Sequence, residues 1–149
     1  MTETQADFMT MTGLELLQAM AEGKLPPAPI AETLGMVEFE VEPGSVAVGL
    51  DPQPKHYNPI GMVHGGVLST LLDTAAACSV HTTLEAGQGY TSLDLNVKFL
   101  RAVTLDSGRI TARGRVLHRG RSTALATAEL HDASGRLVAH ATSSCMIFS

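Results

Sequence analysis

The sequence predicts an α+β fold in which one antiparallel β-sheet wraps around a long buried helix. Residues 65–83 have helical spacing and are small or apolar on nearly every face, so this helix is expected in the interior. The segments after it alternate in period two and are joined by short turns, which is typical of an antiparallel meander. A single sheet leaves one side of the helix open, so we expect a second subunit to cover it.

The first elements precede this helix. Residues 12–21 repeat apolar side chains at helical spacing, and Gly23 with the Pro-rich stretch 25–29 ends that short helix. Residues 37–42 alternate Val or Phe with Glu, which predicts a strand with one wet face. Pro43-Gly44 turns the chain into a return strand at 46–50. After the long helix, further strands are expected at residues 93–99, 110–116, 123–130 and 137–147.

Length, charge and composition exclude several classes of protein. The chain of 149 residues is long enough for one domain, and its net charge of −5 argues against a nucleic-acid partner. Its N-terminus lacks the pattern of a signal peptide and no run resembles a membrane span, so we expect a cytoplasmic protein without a membrane partner. Cys78 and Cys145 have no metal-ligand spacing, so we expect buried, reduced thiols and no metal.

Gly65 and Gly66 open the long helix. The first amides of a helix lack intrahelical partners and carry partial positive charge, and glycine allows a ligand oxygen to approach them. The pair therefore indicates an oxyanion site, with a plain tight turn as the alternative interpretation. His64, just before the glycines, could act as a base or bond the nearby backbone.

Asp73 is an isolated carboxylate within the apolar helix. Small side chains lie one turn away, and no Lys or Arg is within helical reach. Burial would raise its pKa, so the position suits a general base or a nucleophile, unless it lies on an exposed stripe of the helix. Asn58 could bond a substrate carbonyl or serve as a turn residue, and Ser92, at the start of a predicted strand, could orient a water or Asp73.

Basic side chains cluster late in the chain. The turn His118-Arg119-Gly120-Arg121-Ser122 would offer guanidinium groups, backbone amides and a hydroxyl to phosphate, and Arg101 could add to it. The alternative is a solvated hairpin tip. On an acidic protein, such a local basic turn fits an anionic ligand that carries phosphate.

Together these residues resemble the hotdog-fold acyl-CoA thioesterases of the PaaI type. The resemblance rests on the stretch from Asn58 to Gly66, NPIGMVHGG, then Asp73 in the helix and the Arg-Gly-Arg-Ser turn downstream. It implies a hotdog thioesterase domain at residues 30–149, preceded by an N-terminal helix and Pro-rich connection at 1–29. It also implies homodimers that form the active site, usually paired into tetramers, and coenzyme A as part of the substrate with no separate cofactor.

The resemblance also implies roles for individual residues. Gly65, helped by Asn58, would polarise the thioester carbonyl, Asp73 of the other subunit would activate water or attack directly, Ser92 would assist, and His64 would fix the loop. Val67 and its neighbour Leu68 are expected near the acyl pocket. Residues expected to hold the CoA nucleotide are Phe99, Leu100, Arg101, Ala102, Val103, His118, Arg119, Gly120, Arg121 and Ser122.

Two other functions remain open at this point. Some hotdog enzymes hydrate or dehydrate acyl thioesters and carry an Asp two residues before Asn-Pro with a His soon after. Here that position is His56, and no other His follows until His64. A non-catalytic acyl-CoA-binding module is the second alternative. Asp73 followed by Ala77, rather than Glu followed by Thr, favours the Asp type of thioesterase.

Overall fold

The structure is a computed structural model that describes residues 9–149, so the extreme N-terminus, to which the expectation about a signal peptide applies, lies outside the described residues. Within this range the chain forms one seven-stranded antiparallel sheet. Its strands are β1 (Met36–Glu42), β2 (Ser45–Leu50), β3 (Gly89–Ser92), β4 (Asn96–Phe99), β5 (Ile110–Arg119), β6 (Thr123–His131) and β7 (Leu137–Phe148). The helices are α1 (Gly13–Ala21), α2 (Pro29–Leu34) and α3 (Gly65–His81). No helix within residues 9–149 has the length and apolar character needed to cross a bilayer.

The sheet is ordered β1-β2-β5-β6-β7-β3, and β4 also pairs with the long β7 beside β3. α3 packs against β2, β5, β6 and β7, so the curled sheet encloses the helix and the predicted α+β architecture is confirmed. The sheet approaches the helix closely at Gly114 of β5, where an added Cβ would lie 2.2 Å from the carbonyl oxygen of Ala75. Glycine is therefore required there because helix backbone occupies the space of a side chain.

The N-terminal elements pack onto the same body. Thr12 caps α1, and Leu16 and Leu17 are buried with Leu25 against Val46 of β2. The sequence predicted α1 but missed α2, because Pro29 was interpreted only as a helix stop. Proline is in fact favoured in the first turn of a helix, and Gly35 ends α2 in the left-handed conformation.

The strand predicted at residues 93–99 is shorter than expected, because residues 93–95 are irregular and only Asn96–Phe99 form β4, while the separate strand β3 ends at Ser92. At the break the Asp94 carboxylate accepts from the Ser144 amide at 2.8 Å, and the Asp94 carbonyl accepts from the Ser143 hydroxyl at 2.9 Å. These bonds replace the regular ladder. Ser92 consequently ends β3 rather than beginning a strand, and Arg101 follows β4.

Candidate active site

The beginning of α3 leaves one backbone donor without an intrachain partner. The His64 side chain caps the helix, and its Nδ1 accepts from the Gly66 amide at 2.8 Å. The amides of Val67 and Leu68 donate to the His64 carbonyl. Within the described residues, Gly65 therefore has the first-turn N–H that remains available to a ligand, whereas the amide of Gly66, predicted to share this role, is occupied by the cap.

The loop before α3 is fixed by Asn58. Its Oδ1 accepts from the backbone amides of Ile60 (3.1 Å) and Met62 (3.2 Å). The side-chain oxygen of Asn58 therefore has the turn-stabilising role that was one of the two predictions. The other end of the side-chain amide, Nδ2, is a donor and can serve a substrate carbonyl. The two interpretations of Asn58 are therefore compatible.

A cavity of about 350 Å³ lies beside Gly65 and Asn58. Phe99 is 54% exposed and Leu100 is 56% exposed, and Arg101 presents an exposed cation at the same place. The cavity thus brings together two groups that the sequence placed far apart, the helix start and the segment after β4. Its lining consists of Asn58, Met62, Val63, Gly65, Leu68, Phe99, Leu100, Arg101, Ala102 and Val103. Leu68, rather than Val67, provides the helix wall.

Asp73 lies on the one stripe of α3 that the sheet leaves uncovered. The partly or fully exposed positions of the helix are Gly65, Gly66, Val67, Ser69, Thr70, Asp73, Thr74, Ala77, Cys78 and His81, and most of them fall on one face. The carboxylate is half-buried, and this desolvation raises its pKa. The Ser92 hydroxyl acts in the opposite direction, since its hydrogen bond to the carboxylate lowers the pKa of Asp73.

Three further groups surround this carboxylate and were not assigned to it from the sequence. Burial, helped by the charge of Asp73, raises the pKa of the Cys78 thiol to about 12. Burial also raises the pKa of Tyr90 and of Cys145, and Asp73 contributes to both shifts. The two thiols are free; Cys145 is buried as predicted, but Cys78 is partly exposed on the open stripe. Each of these three shifts disfavours a second negative charge beside Asp73.

Gly65 and Asp73 of one chain are too far apart to serve one carbonyl. Eight residues separate them, and a helix rises 1.5 Å per residue, which gives a separation of about 12 Å along α3. A reacting carbonyl needs its oxygen near 3 Å from the donor and its carbon in reach of the base. The two groups meet at one substrate only if they come from different chains.

The basic turn between β5 and β6 lies at the other end of α3. Arg119 donates to Thr83 Oγ1 at 3.1 Å, to Gln88 Oε1 at 3.4 Å and to the carbonyl of Gly120, so its guanidinium is engaged within the chain. Arg121, His118 and Ser122 are exposed. Within one chain, this turn and the Gly65 cavity lie at opposite ends of α3, which is about 25 Å long.

His56 occupies the position at which the hydratase pattern has an acid. Its ring is buried, with Nδ1 accepting from the Gln53 amide at 3.0 Å and Nε2 within 2.8 Å of the Leu34 carbonyl. Both nitrogens are engaged in holding the loop between β2 and α3. The ring has no nitrogen left for proton transfer to a substrate, which does not support the hydratase alternative.

Comparison with known proteins shows the family to which the fold is similar. The family model described as the thioesterase superfamily matches residues 60–139, which include Gly65, Asp73 and Ser92. Acyl-coenzyme A thioesterase 13 of Homo sapiens is 28% identical over 133 residues, covering 88% of this chain and 91% of that protein.

Two solved structures show the same likeness. A phenylacetic acid degradation-related protein from Ralstonia eutropha JMP134 is 35% identical with a TM-score of 0.78, covering 87% of this chain and 98% of the other. A mutant of phenylacetic acid degradation protein PaaI from Thermus thermophilus is 28% identical with a TM-score of 0.72, covering 80% of this chain and 98% of the other. The resemblance to PaaI-type hotdog proteins predicted from the sequence is thereby confirmed.

Proposed function

This chain belongs to the thioesterase superfamily, and we propose that it hydrolyses acyl-CoA to the free acid and CoA with Asp73 as the reactive carboxylate. The general activity, thioester hydrolysis, follows from the family. The observation that carries the finer proposal is the position of Asp73, a half-buried carboxylate on the only open stripe of the described α3. A desolvated carboxylate with a raised pKa is a stronger base than one in water.

The Gly65 amide would receive the negative charge that develops on the carbonyl oxygen. It is the free first-turn donor at the positive end of α3, and the Asn58 Nδ2 group provides a second donor beside it. Asp73 then either removes a proton from the attacking water or attacks the carbonyl carbon itself. In both cases the C–S bond breaks, the CoA sulfur takes up a proton, and water supplies the second oxygen of the acid.

We further propose that each active site is shared between two subunits of a homodimer. The separation of about 12 Å between Gly65 and Asp73 along one helix supports this arrangement. The open stripe of α3 supplies the face on which a second copy would pack, with its Gly65 near the Asp73 of the first. Pairing of such dimers into a homotetramer is part of the same proposal.

The CoA nucleotide would bind along the residues after β4. Arg101 lines the Gly65 cavity and is exposed, and Arg121 with Ser122 would approach the phosphates from the second subunit. Arg119 contributes indirectly, because its bonds to Thr83 and Gln88 hold the turn in place.

The test is Asp73→Asn, assayed by thiol release from a panel of acyl-CoA thioesters. The amide keeps the size of the side chain but is neither a base nor a nucleophile, so kcat should fall by at least about 10³ while the melting temperature is retained or raised. Asp106→Asn, which alters an exposed carboxylate outside the site, is the matched control and should keep wild-type activity. Wild-type rates in the folded Asp73→Asn protein would exclude the mechanism.

The same panel separates the reaction classes. An enoyl-CoA included in it should lose its thioester without accumulating a hydrated thioester. Hydration with no thiol release would replace the hydrolase proposal by the hydratase alternative.

A further inference from the structure

We propose that a second cavity, lined by the N-terminal segment, the β1–β2 hairpin and α3, receives the acyl group and restricts good substrates to compact, uncharged acyl groups. By compact we mean about one aromatic ring or about six carbons, because an apolar cavity of about 150 Å³ holds benzene. The inference rests on the proposed function, since it names the acyl side of the same site.

This cavity has a volume of about 160 Å³ and lies apart from the Gly65 cavity. Among the described residues its only charged lining residue is Glu38, whose carboxylate is paired with Arg109. A charged acyl group would therefore find no free counter-ion in this part of the wall. The lining is made by Met20, Pro27, Ala28, Ile30, Ala31, Met36, Val37, Glu38, Phe39, Val48, Thr74 and Cys78.

A β-bulge in β1 shapes one wall. Val37 pairs with Gly49 but Glu40 pairs with Ala47, so β1 has one extra residue, and Glu38 adopts a φ of 54°. Four consecutive residues, 36–39, line the cavity, whereas a regular strand would present only alternate ones. A non-glycine residue in this conformation is uncommon, and bulges are enriched next to active sites.

The cavity adjoins the reactive carboxylate. Thr74 follows Asp73 in α3, and Cys78 lies close enough for the Asp73 charge to affect its thiol. Both lining residues of α3 are on the open stripe that carries Asp73. An acyl chain whose carbonyl is next to Asp73 can therefore extend into this cavity, while the CoA part leaves toward the partner's Gly65 cavity.

Most of the wall lies outside the segment that the family model matches. The family model begins at residue 60, whereas the lining from α1, the Pro-rich stretch, α2 and β1 falls within residues 20–39. The segment that the family model matches thus supplies the thioester chemistry, and the segment before it sets the size of the acyl group.

The experiment measures kcat/KM of the wild type for acetyl-, hexanoyl-, benzoyl- and palmitoyl-CoA, and then of Ala31→Phe. Wild-type values should be highest for hexanoyl- and benzoyl-CoA and lowest for palmitoyl-CoA. Ala31→Phe should lower the hexanoyl-to-acetyl ratio at least about tenfold, the effect of withdrawing about two methylene groups from an apolar site. Glu32→Phe adds the same ring to α2 at an exposed position outside the lining and should leave the ratio unchanged.

Ala28→Phe serves as a second filling variant, because Ala28 is exposed at the start of α2 and is tolerant of a larger side chain. It should change the ratio in the same direction. A preference for palmitoyl-CoA, or an unchanged ratio in both filled variants, would overturn the inference while leaving the hydrolase proposal intact. Absence of thiol release from every thioester by the wild type would instead overturn the proposed function and this inference with it.

Discussion

The two ends of α3 differ in how their polar groups are satisfied. At the C-terminal end, the Ser79 hydroxyl accepts from the Val46 amide at 3.0 Å, and the Thr82 hydroxyl accepts from the Gly44 amide at 2.8 Å. The Gly13 amide reaches the Leu84 carbonyl at 2.9 Å just beyond the helix. At the N-terminal end the Gly65 amide has no intrachain partner among the described residues, and exposed apolar side chains stand beside it.

This difference separates structure from function within one element. Buried polar groups are almost always paired because leaving one unpaired costs free energy of folding. The paired groups at the C-terminal end therefore indicate a structural role. A free donor at the positive end of a helix, next to an apolar cavity and an arginine, is instead suited to a ligand. Changes at the N-terminal end should therefore lower activity, whereas changes at the C-terminal end should lower the free energy of unfolding.

Among changes at the two ends of α3, the largest effect is expected from Gly65→Pro. Proline is favoured in the first turn of a helix, and His64 already has the extended conformation (φ −60°, ψ 135°) required before proline, so the fold should be retained. The substitution removes the N–H, and kcat should fall about 10²–10³-fold. Gly65→Ala keeps the donor and places a Cβ 3.1 Å from the Phe99 ring, so it should lose less activity. Equal losses in both variants would mean that crowding, and not the donor, is responsible.

Mixing the Asp73→Asn and Gly65→Pro proteins tests whether the active site is shared between subunits. A dimer of one Asp73→Asn subunit and one Gly65→Pro subunit would contain one intact site if the sites are shared. Activity should therefore reappear after co-refolding of the two variants. If each chain had its own complete site, no combination of these variants would be active.

Gly114→Ala tests the closed part of α3. The added Cβ would lie 2.2 Å from the Ala75 carbonyl oxygen and 2.7 Å from Ser79 Oγ, so the helix backbone has to move. Overpacking of this kind costs about 1–3 kcal/mol, and this site should be at the upper end. Denaturant unfolding should report the loss, with Thr111→Ala, on the same strand, as the control. An unchanged unfolding free energy would show that β5 can move away from the helix.

The sequence was sufficient for the elements that follow a clear period. α1, α3, the first hairpin and the last three strands were predicted because apolar positions alternate or repeat at helical spacing. The break at Asp94 was missed because it depends on a bond to Ser144, 50 residues away, which no local pattern encodes. The bulge in β1 was missed for the same reason, whereas Pro29 and Gly35 did contain a readable signal for α2.

The candidate site was predicted in its chemistry but not in its geometry. The sequence identified Gly65, Asn58 and Asp73 by residue type and local spacing. The predicted bonding of His64 to nearby backbone is confirmed, but the sequence did not indicate that its partner is the Gly66 amide, or that Arg119 is engaged by Thr83 and Gln88. Those contacts depend on side-chain orientation and on segments brought together only by the folded sheet.

The smallest effect is expected at Ser92, and it appears in the pH dependence. Asp73 must be ionised to act as a base, and burial raises its pKa, so activity should decline toward acid at a higher pH than it would with a fully exposed Asp. The Ser92 hydrogen bond lowers that pKa; removing it favours the protonated acid. Ser92→Ala should therefore move the acid limb of kcat/KM to higher pH.

Thr91→Ala is the control for this shift, because Thr91 is the preceding residue of β3 and its side chain points to the opposite face of the strand.

The raised pKa of Asp73 also predicts how the free energy of unfolding depends on pH. Ionising the half-buried Asp73 opposes folding, so its unfavourable contribution should grow as pH rises from the unfolded-state pKa to the raised folded-state pKa and should be constant above it. Asp73→Asn should remove that dependence and should be more stable than the wild type at neutral pH, with the difference vanishing toward acid. A limb that moves to lower pH in Ser92→Ala would show that the hydroxyl does not stabilise the ionised carboxylate.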